Sequence, residues 1–423
     1  MTEAVLEGEA TRAGAAEARR VSTLELFFDL VFVFTITQLT VLLVDDLSFP
    51  QAGRVLLIFA VLYWMYGAYA YLTNQVPPET TGRRLLLVVG MFGFLTCALA
   101  LPQVFGSDGV AFGLGFVLVT AVHSALYALI HRQYVLSFAV TNLAAAGCVT
   151  AAGVVHGMGH GRGHGWAADG LWVAAVLLHQ VTPALSSRVT GRYEGGTAIV
   201  TEAVGGLDPA HFVERHGLLL IIAFGESVVA IGVGATGARI DGPLLLAVGL
   251  ALALAAALWW TYFVGDEAAA EAALHRVSGL PRFRLAMAAY YYSFIPMLLG
   301  VALLAAGVKK AIGHLAHPLP FAPAVALAGG VALFLAGNVA FRAALRIAPL
   351  RFRVGAVVAS AATVPLGRWT PVAQFLGLTL VLVAMLLLEA AGAHADAHAE
   401  PPADRRASAA VDAGGDAGGV AAG

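Results

Sequence analysis

Two carboxylates stand where hydrocarbon makes them expensive. Asp29 lies inside the apolar run STLELFFDLVFVFTITQLT (residues 22 to 40), and Glu226 inside LLLIIAFGESVVAIGVG (residues 218 to 234). An acid at the centre of a bilayer costs roughly 2.5 to 3.5 kcal/mol on insertion scales, so such residues face a bundle interior, find a partner and usually serve a function. A pair of them can take up and release a proton or hold a cation, alternating between charged and neutral forms through a transport cycle. The plainer reading is that each pairs with an Arg to fix helix packing. Glu25 lies one helical turn before Asp29 on the same face. It also completes a Ser22-x-x-Glu25 capping box that starts a helix just past Arg19 and Arg20. Thr40 near the same angle extends a polar seam, and Ser227 follows Glu226. Asp29, Glu226, Glu25 and Ser227 are therefore the leading candidates for an ion-binding or transport site.

Tyr66, Tyr262, His179, Asn338 and His123 form a secondary set of polar groups in apolar runs, where a satisfied packing role is the commoner one. The clusters YWMYGAYAY and LWWTYF carry Trp64, Tyr66, Tyr69, Tyr71, Trp259, Trp260 and Tyr262. They read most simply as an interfacial aromatic belt, with a cation-binding lining as the alternative. Asn74 reads as a helix cap, and Gly225, Ser227, Gly232 and Gly234 as a small-residue stripe that admits a neighbouring backbone. His156, His160 and His164 recur every four residues in HGMGHGRGHG. Without Cys or a fixed geometry, that run reads as low-complexity drift and not as a metal site. Asp208 and Pro209 mark a helix start in DPAHFVERHG, a segment expected along the membrane face ahead of a span at 215 to 236. Walker loops, dinucleotide fingerprints, HExxH and nucleophile elbows are missing, so the expectation is no enzyme, no cofactor and no resident metal.

Such residues need a scaffold of membrane length. Hydrophobic residues make up 59% of the 423 and charged residues 12%, against roughly 25% charged in soluble domains. Mean hydropathy is +0.82. The implied class is an all-α, polytopic integral membrane helix bundle whose first partner is the lipid bilayer. Cys97 and Cys148 fall in apolar runs and read as core residues, and no basic block suggests nucleic acid. Twelve runs approach the length that spans a bilayer: 24 to 44, 54 to 72, 85 to 105, 110 to 130, 135 to 155, 170 to 189, 215 to 236, 243 to 264, 285 to 306, 321 to 345, 354 to 367 and 372 to 391. The eleventh is short and ends on Pro. Of the 24 Lys and Arg, 18 fall on the side that holds the N-terminus and six on the other, which puts both termini in the cytoplasm. Residues 1 to 20 and 392 to 423 read as disordered arms.

A repeat joins the two acids. Phe27-x-Asp29-x-Val31 matches Phe224-x-Glu226-x-Val228, and Trp64 follows Asp29 by 35 residues as Trp260 follows Glu226 by 34. The expected architecture is two parallel six-helix halves, 21 to 207 and 208 to 391, whose first helices bring the acids together near a shared axis.

RRVSTLELFFDLVFVFTITQLT, the aromatic second run with Asn74, ERHGLLLIIAFGESVVAIG and WWTYF together resemble the bacterial low temperature requirement A (LtrA) family over residues 19 to about 390. The resemblance implies a multi-pass protein of the bacterial cytoplasmic (inner) membrane, linked to growth in the cold, and no particular substrate. It carries Glu25, Phe28, Asp29, Arg215, Gly225, Glu226 and Ser227 as motif positions. The functional expectation is a secondary transporter of an ion or small solute, coupled to a cation or proton. Its alternatives are a cation channel lined by the first helix of each half, and a membrane scaffold linked to cold or envelope stress.

Overall fold

The computed structural model describes residues 20–129, 132–158, 165–190, 205–315 and 317–399. Each of the twelve apolar runs is helical there, and the described residues contain no strand. The first half holds α1 (Thr23–Asp45), α2 (Phe49–Gln75), α3 (Thr81–Ala100), α4 (Gly109–Ala128), α5 (Arg132–Met158) and α6 (Gly165–Thr190). The second holds α7 (Pro209–Gly234), α8 (Gly242–Phe263), the short α9 (Asp266–His275) and α10 (Gly279–Ala286). A π turn (Met287–Tyr292) leads into α11 (Phe294–Ile312), followed by α12 (Phe321–Leu345), α13 (Arg351–Ala361), α14 (Val364–Gly367) and α15 (Pro371–Ala399).

Local chemistry sets several of these boundaries. Ser22, Ser48, Thr80, Asp208 and Asp241 each accept a backbone N–H in the first turn of the helix they precede, satisfying donors a helix start leaves open. At Ser22 the reciprocal Glu25 bond completes the box. α7 runs unbroken from Pro209, so the segment expected along the membrane face is the first turn and a half of a single helix. The helix at the other terminus reaches Ala399, beyond the expected end at 391, because Ala-rich sequence propagates a helix past its last apolar turn.

Among the described residues, ten helices are long and apolar enough to cross a membrane. The two remaining runs differ for visible reasons. α6 has 26 residues but carries Asp169, Pro183 and Arg188. The eleventh run is split into 11- and 4-residue pieces at Ala362 and Thr363, beside Pro365, which has no N–H to continue the ladder.

The pattern of burial is inverted relative to a soluble protein. Phe92, Leu99, Leu114, Leu245 and Leu387 are exposed, while Asp29, Arg215, Asp266 and Arg353 are 2% exposed or less. Two helix pairs show how closely backbones approach. Gly109 and Gly113 of α4 lie against Gly153 and Thr150 of α5, and Gly300 of α11 lies against Gly330 and Phe334 of α12, so that a Cβ at these glycines would strike a neighbouring backbone. The stripe expected on α7 does not do this. Gly225 and Gly232 face open space, and only Gly234 touches α11.

Four contacts define one end of the bundle. Asn74 at the close of α2 bonds Asp208, Val21 donates to Glu214 Oε2, Arg282 donates to the Leu207 carbonyl, and Tyr71 packs on Phe283. The starts of α1, α7 and α10 and the end of α2 therefore meet there. Asn74 is a clamp between helices and not the expected cap, since α2 ends on Val76.

Candidate functional site

Arg215, on the second turn of α7, is the centre of a buried cluster. Its side chain is 1% exposed. Nε and Nη2 donate to Asp29 Oδ1 at 3.2 and 3.0 Å, and Nη1 donates to Glu25 Oε1 at 3.3 Å and to Thr73 Oγ1. The planar fork reaches two acids and a hydroxyl at once, which a Lys cannot do. The rings of Phe28 and Tyr66 lie 5.6 and 5.7 Å from the guanidinium carbon. Tyr66 also donates its hydroxyl to Asp29 Oδ1 at 3.0 Å. Glu25 Oε2 accepts the Ser22 N–H and hydroxyl at 2.9 and 2.8 Å and meets His211 Nε2 at 3.3 Å.

The hydrogen bonds orient the His211 ring. Asn74 Oδ1 accepts the Asp208 N–H at 2.9 Å, so its amide nitrogen is the atom that faces His211 Nδ1 at 3.1 Å. An amide nitrogen only donates, hence Nδ1 accepts and the ring proton sits on Nε2, directed at Glu25. With both carboxylates ionised, the two acids and Arg215 sum to one negative charge. Glu25 has both oxygens bonded, whereas Asp29 Oδ2 is buried and has no partner among the described residues.

Glu226 is elsewhere. Its Oε2 accepts the Thr37 hydroxyl at 2.8 Å, eight residues beyond Asp29 on α1 and therefore about 12 Å higher along the helix. Asp29 stands six residues from Thr23 at the start of α1, and Glu226 stands 17 from Pro209 at the start of α7. The two acids of the sequence repeat thus lie at different depths and do not meet, a correction to the expected convergence. Parallel helices joined at their starts bring together residues of equal depth, which pairs Asp29 with Arg215. Ser227 is buried beside Glu226, its hydroxyl unpartnered among the described residues.

The secondary candidates scatter. Tyr66 joins the cluster. Tyr262 is buried with Phe294 and Phe341, apart from Tyr66. His123 lies 5.2 Å from the Tyr69 ring, and His179 stacks on Trp64 at 5.5 Å. Asn338 belongs to a second charge network, which the sequence analysis missed. There Arg353 bonds Glu389 at 2.8 and 3.0 Å, Asp266 at 2.6 Å and also Asn338, while Arg342 bonds Glu389 at 2.9 Å. Two Arg and two acids make this network neutral. Arg342 inside the tenth apolar run was its available signal. Of the expected aromatic belt, Trp259 and Trp260 are exposed and Tyr71 is half-buried, while Trp64, Tyr66, Tyr69 and Tyr262 are core residues. The Gly-His run at 159 to 164 lies outside the described residues.

Beside the Arg215 cluster is a cavity of about 410 Å³, bounded by α2, α4, α5 and α6 on one side and by α7, α10 and the π turn on the other. Its wall includes Trp64, Tyr127, Phe138, Phe212, Tyr290 and Tyr291. The π turn supplies two of these rings, and Tyr63 donates to its Tyr290 carbonyl at 2.7 Å. Such turns within a helix often mark functional sites. Helical spacing joins cavity to cluster. On α7, His211 and Arg215 serve the cluster while Phe212 and His216 line the cavity. On α2, Tyr66 and Thr73 serve the cluster while Trp64, Gly67, Ala68 and Tyr71 line the cavity.

Charge enclosed by helices whose outer surfaces are apolar, next to a half-open cavity, defines a multi-pass membrane protein with a buried polar site. Residues 20–390 match the family described as bacterial low temperature requirement A protein (LtrA), and the chain belongs to that family. It is also similar to uncharacterized protein RA0937 of Rhizobium meliloti (strain 1021), with 28% identity over 378 residues, covering 85% of this chain and 87% of that one.

Proposed function

We propose that this protein is a proton-coupled secondary transporter of the bacterial inner membrane, with the Glu25–Asp29–Arg215 cluster as its coupling site and the aromatic cavity as its solute chamber. The observation that carries this reading is the shared turn of α7: Arg215 holds the acids on one face, and His216 and Phe212 form the chamber wall on the next. Asp29 Oδ2 is the oxygen left to receive a proton. A proton there cancels the surplus negative charge and loosens the hold on Arg215, so α7 can shift and change the chamber. Energetically, the proton moves the equilibrium between chamber states only by its differential affinity for them. The coupling pair is Asp29 with Arg215; Glu226, tied to Thr37, anchors α7 to α1 further along.

The proposed topology is twelve crossings with both termini in the cytoplasm. The 18 to six division of Lys and Arg supports it, and so does parity. α1 and α7 start at the same end, which needs an even number of crossings between them and so includes α6. The broken eleventh segment also runs from end to end. Arg353 at its start bonds Asp266 at the close of the α8 span, and Gly367 at its finish accepts the Leu319 N–H just before α12.

The test uses the full chain in proteoliposomes that enclose the pH dye pyranine, given a low-molecular-weight filtrate of bacterial cytosol. Filtrate-dependent, saturable proton movement is expected, and its loss in Asp29→Asn. Wild-type liposomes that move no protons, or unitary currents in planar bilayers, would overturn the reading; currents would favour a channel.

A further inference from the structure

The chamber has a chemical bias of its own. Among the described residues of its wall, Arg284 is the sole formally charged one, and no Asp or Glu joins it. Its guanidinium is exposed at the chamber's margin and makes no ion pair or hydrogen bond with the described residues. The buried Arg side chains, by contrast, are each ion-paired: Arg215 with Glu25 and Asp29, Arg342 and Arg353 with Asp266 and Glu389. On the wall, His216 donates its Nδ1–H to the Phe212 carbonyl at 2.8 Å. His123 is 2% exposed, and its Nε2 has no partner among the described residues. The volume of about 410 Å³ falls in the range of roughly 300 to 1,000 Å³ typical of small-molecule sites, where apolar walls supply burial and a few polar groups set orientation.

We infer that the chamber binds an amphipathic organic acid, its flat apolar body held among the rings of Trp64, Phe212, Tyr290 and Tyr291 and its anionic head paired with Arg284. An organic cation would also find aromatic faces there. Among the described wall residues it would meet the Arg284 cation and no carboxylate, which favours the anion. The inference rests on the transporter reading for its biological meaning, but it concerns binding alone and is tested without flux.

Gly67 makes a clean test possible. It lies on the chamber wall, and a Cβ added to it would meet nothing within 4 Å, so a larger side chain there starts out into open chamber space. Equilibrium binding to the purified full chain is measured with three probes of similar shape: indole-3-acetate, the neutral indole-3-acetamide and the cation tryptamine. The acid is expected to bind at least tenfold more tightly than the amide or the amine. Arg284→Gln should weaken the acid by tenfold or more and leave the amide unchanged. Gly67→Leu should abolish binding of the acid while unfolding at the wild-type temperature. Mixed micelles carry the second arm: competition by phosphatidylglycerol but not phosphatidylcholine, lost in Arg284→Gln, assigns the same acid recognition to a lipid headgroup instead of a free solute. Equal binding of acid and amide, preference for tryptamine, or binding that survives Gly67→Leu overturns the inference. Acid binding without proton movement in liposomes would sink the transporter reading and leave this site standing; coupled flux without acid binding would do the reverse.

Discussion

At the scale of single residues, the buried charges matter through what their removal strands. Arg215→Ala leaves Glu25 and Asp29 facing each other without a counter-charge, and breaking a buried pair this way typically costs about 3–5 kcal/mol. The expected result is a large fall in unfolding midpoint for the purified protein in detergent. Adding Asp29→Asn should return part of that loss, because the double variant strands one acid and not two. Independent, additive losses would mean the side chains are not coupled. Much of this was legible from type and position: an acid in an apolar run demands a partner, and Glu25 fell on the right face with the right cap. The identity of the partner was not legible. Arg215 lies 186 residues from Asp29, and no local spacing reports which helix packs against which. The Asp29–Glu226 pairing failed for a related reason. A similar sequence pattern fixes which residues correspond, but depth is set by where each helix starts, and α7 begins three turns earlier relative to its acid than α1 does.

At the scale of helices, glycine is informative only with its neighbour in hand. In α7 the small residues follow helical spacing, yet Gly232 has open space around it, whereas Gly153 in α5 sits against the backbone of Gly109. The same substitution should therefore have opposite signs. Gly232→Ala removes backbone entropy at an open helical site and is expected to be neutral or stabilising by up to about 1 kcal/mol. Gly153→Ala forces α4 and α5 apart and is expected to destabilise by about 1–3 kcal/mol, as overpacking does. Thermal unfolding of the two variants side by side decides it; equal shifts would contradict the close approach. The helices themselves were readable because apolar length and caps are local properties. The π turn and the break between α13 and α14 were not, since both arise where tertiary contacts hold an irregular backbone. Tyr63 occupies the Tyr290 carbonyl in the one, and in the other Arg353 pins α13, ahead of the break, to α9, α12 and α15 through Asp266, Asn338 and Glu389.

At the scale of the whole molecule, two charge networks tie helices together near one end of the bundle: the Arg215 network joins α1, α2 and α7, and the Arg353 network joins α9, α12, α13 and α15. The neutral network around Arg353 draws wholly on the second half and has no surplus charge to exchange, so it reads as a fixed clamp. The Arg215 network spans both halves and carries an odd charge, so it is the one that a proton can change. This division has meaning only if the clustered end faces the cytoplasm, and that orientation is open to direct measurement. In a background lacking Cys97 and Cys148, single substitutions Glu79→Cys, Arg239→Cys and His317→Cys each sit at an exposed position between helices. A maleimide that cannot cross membranes, added to intact cells, should label positions 239 and 317 and spare 79, which should react only after the cells are opened. Labelling of 79 in intact cells with protection of the other two would invert the molecule, placing Asp29 near the outer surface and reversing the side from which the proton arrives. A mixed pattern, with 239 and 317 on different sides, would instead remove one crossing between α7 and α12 and with it the parity on which the twelve-crossing arrangement depends.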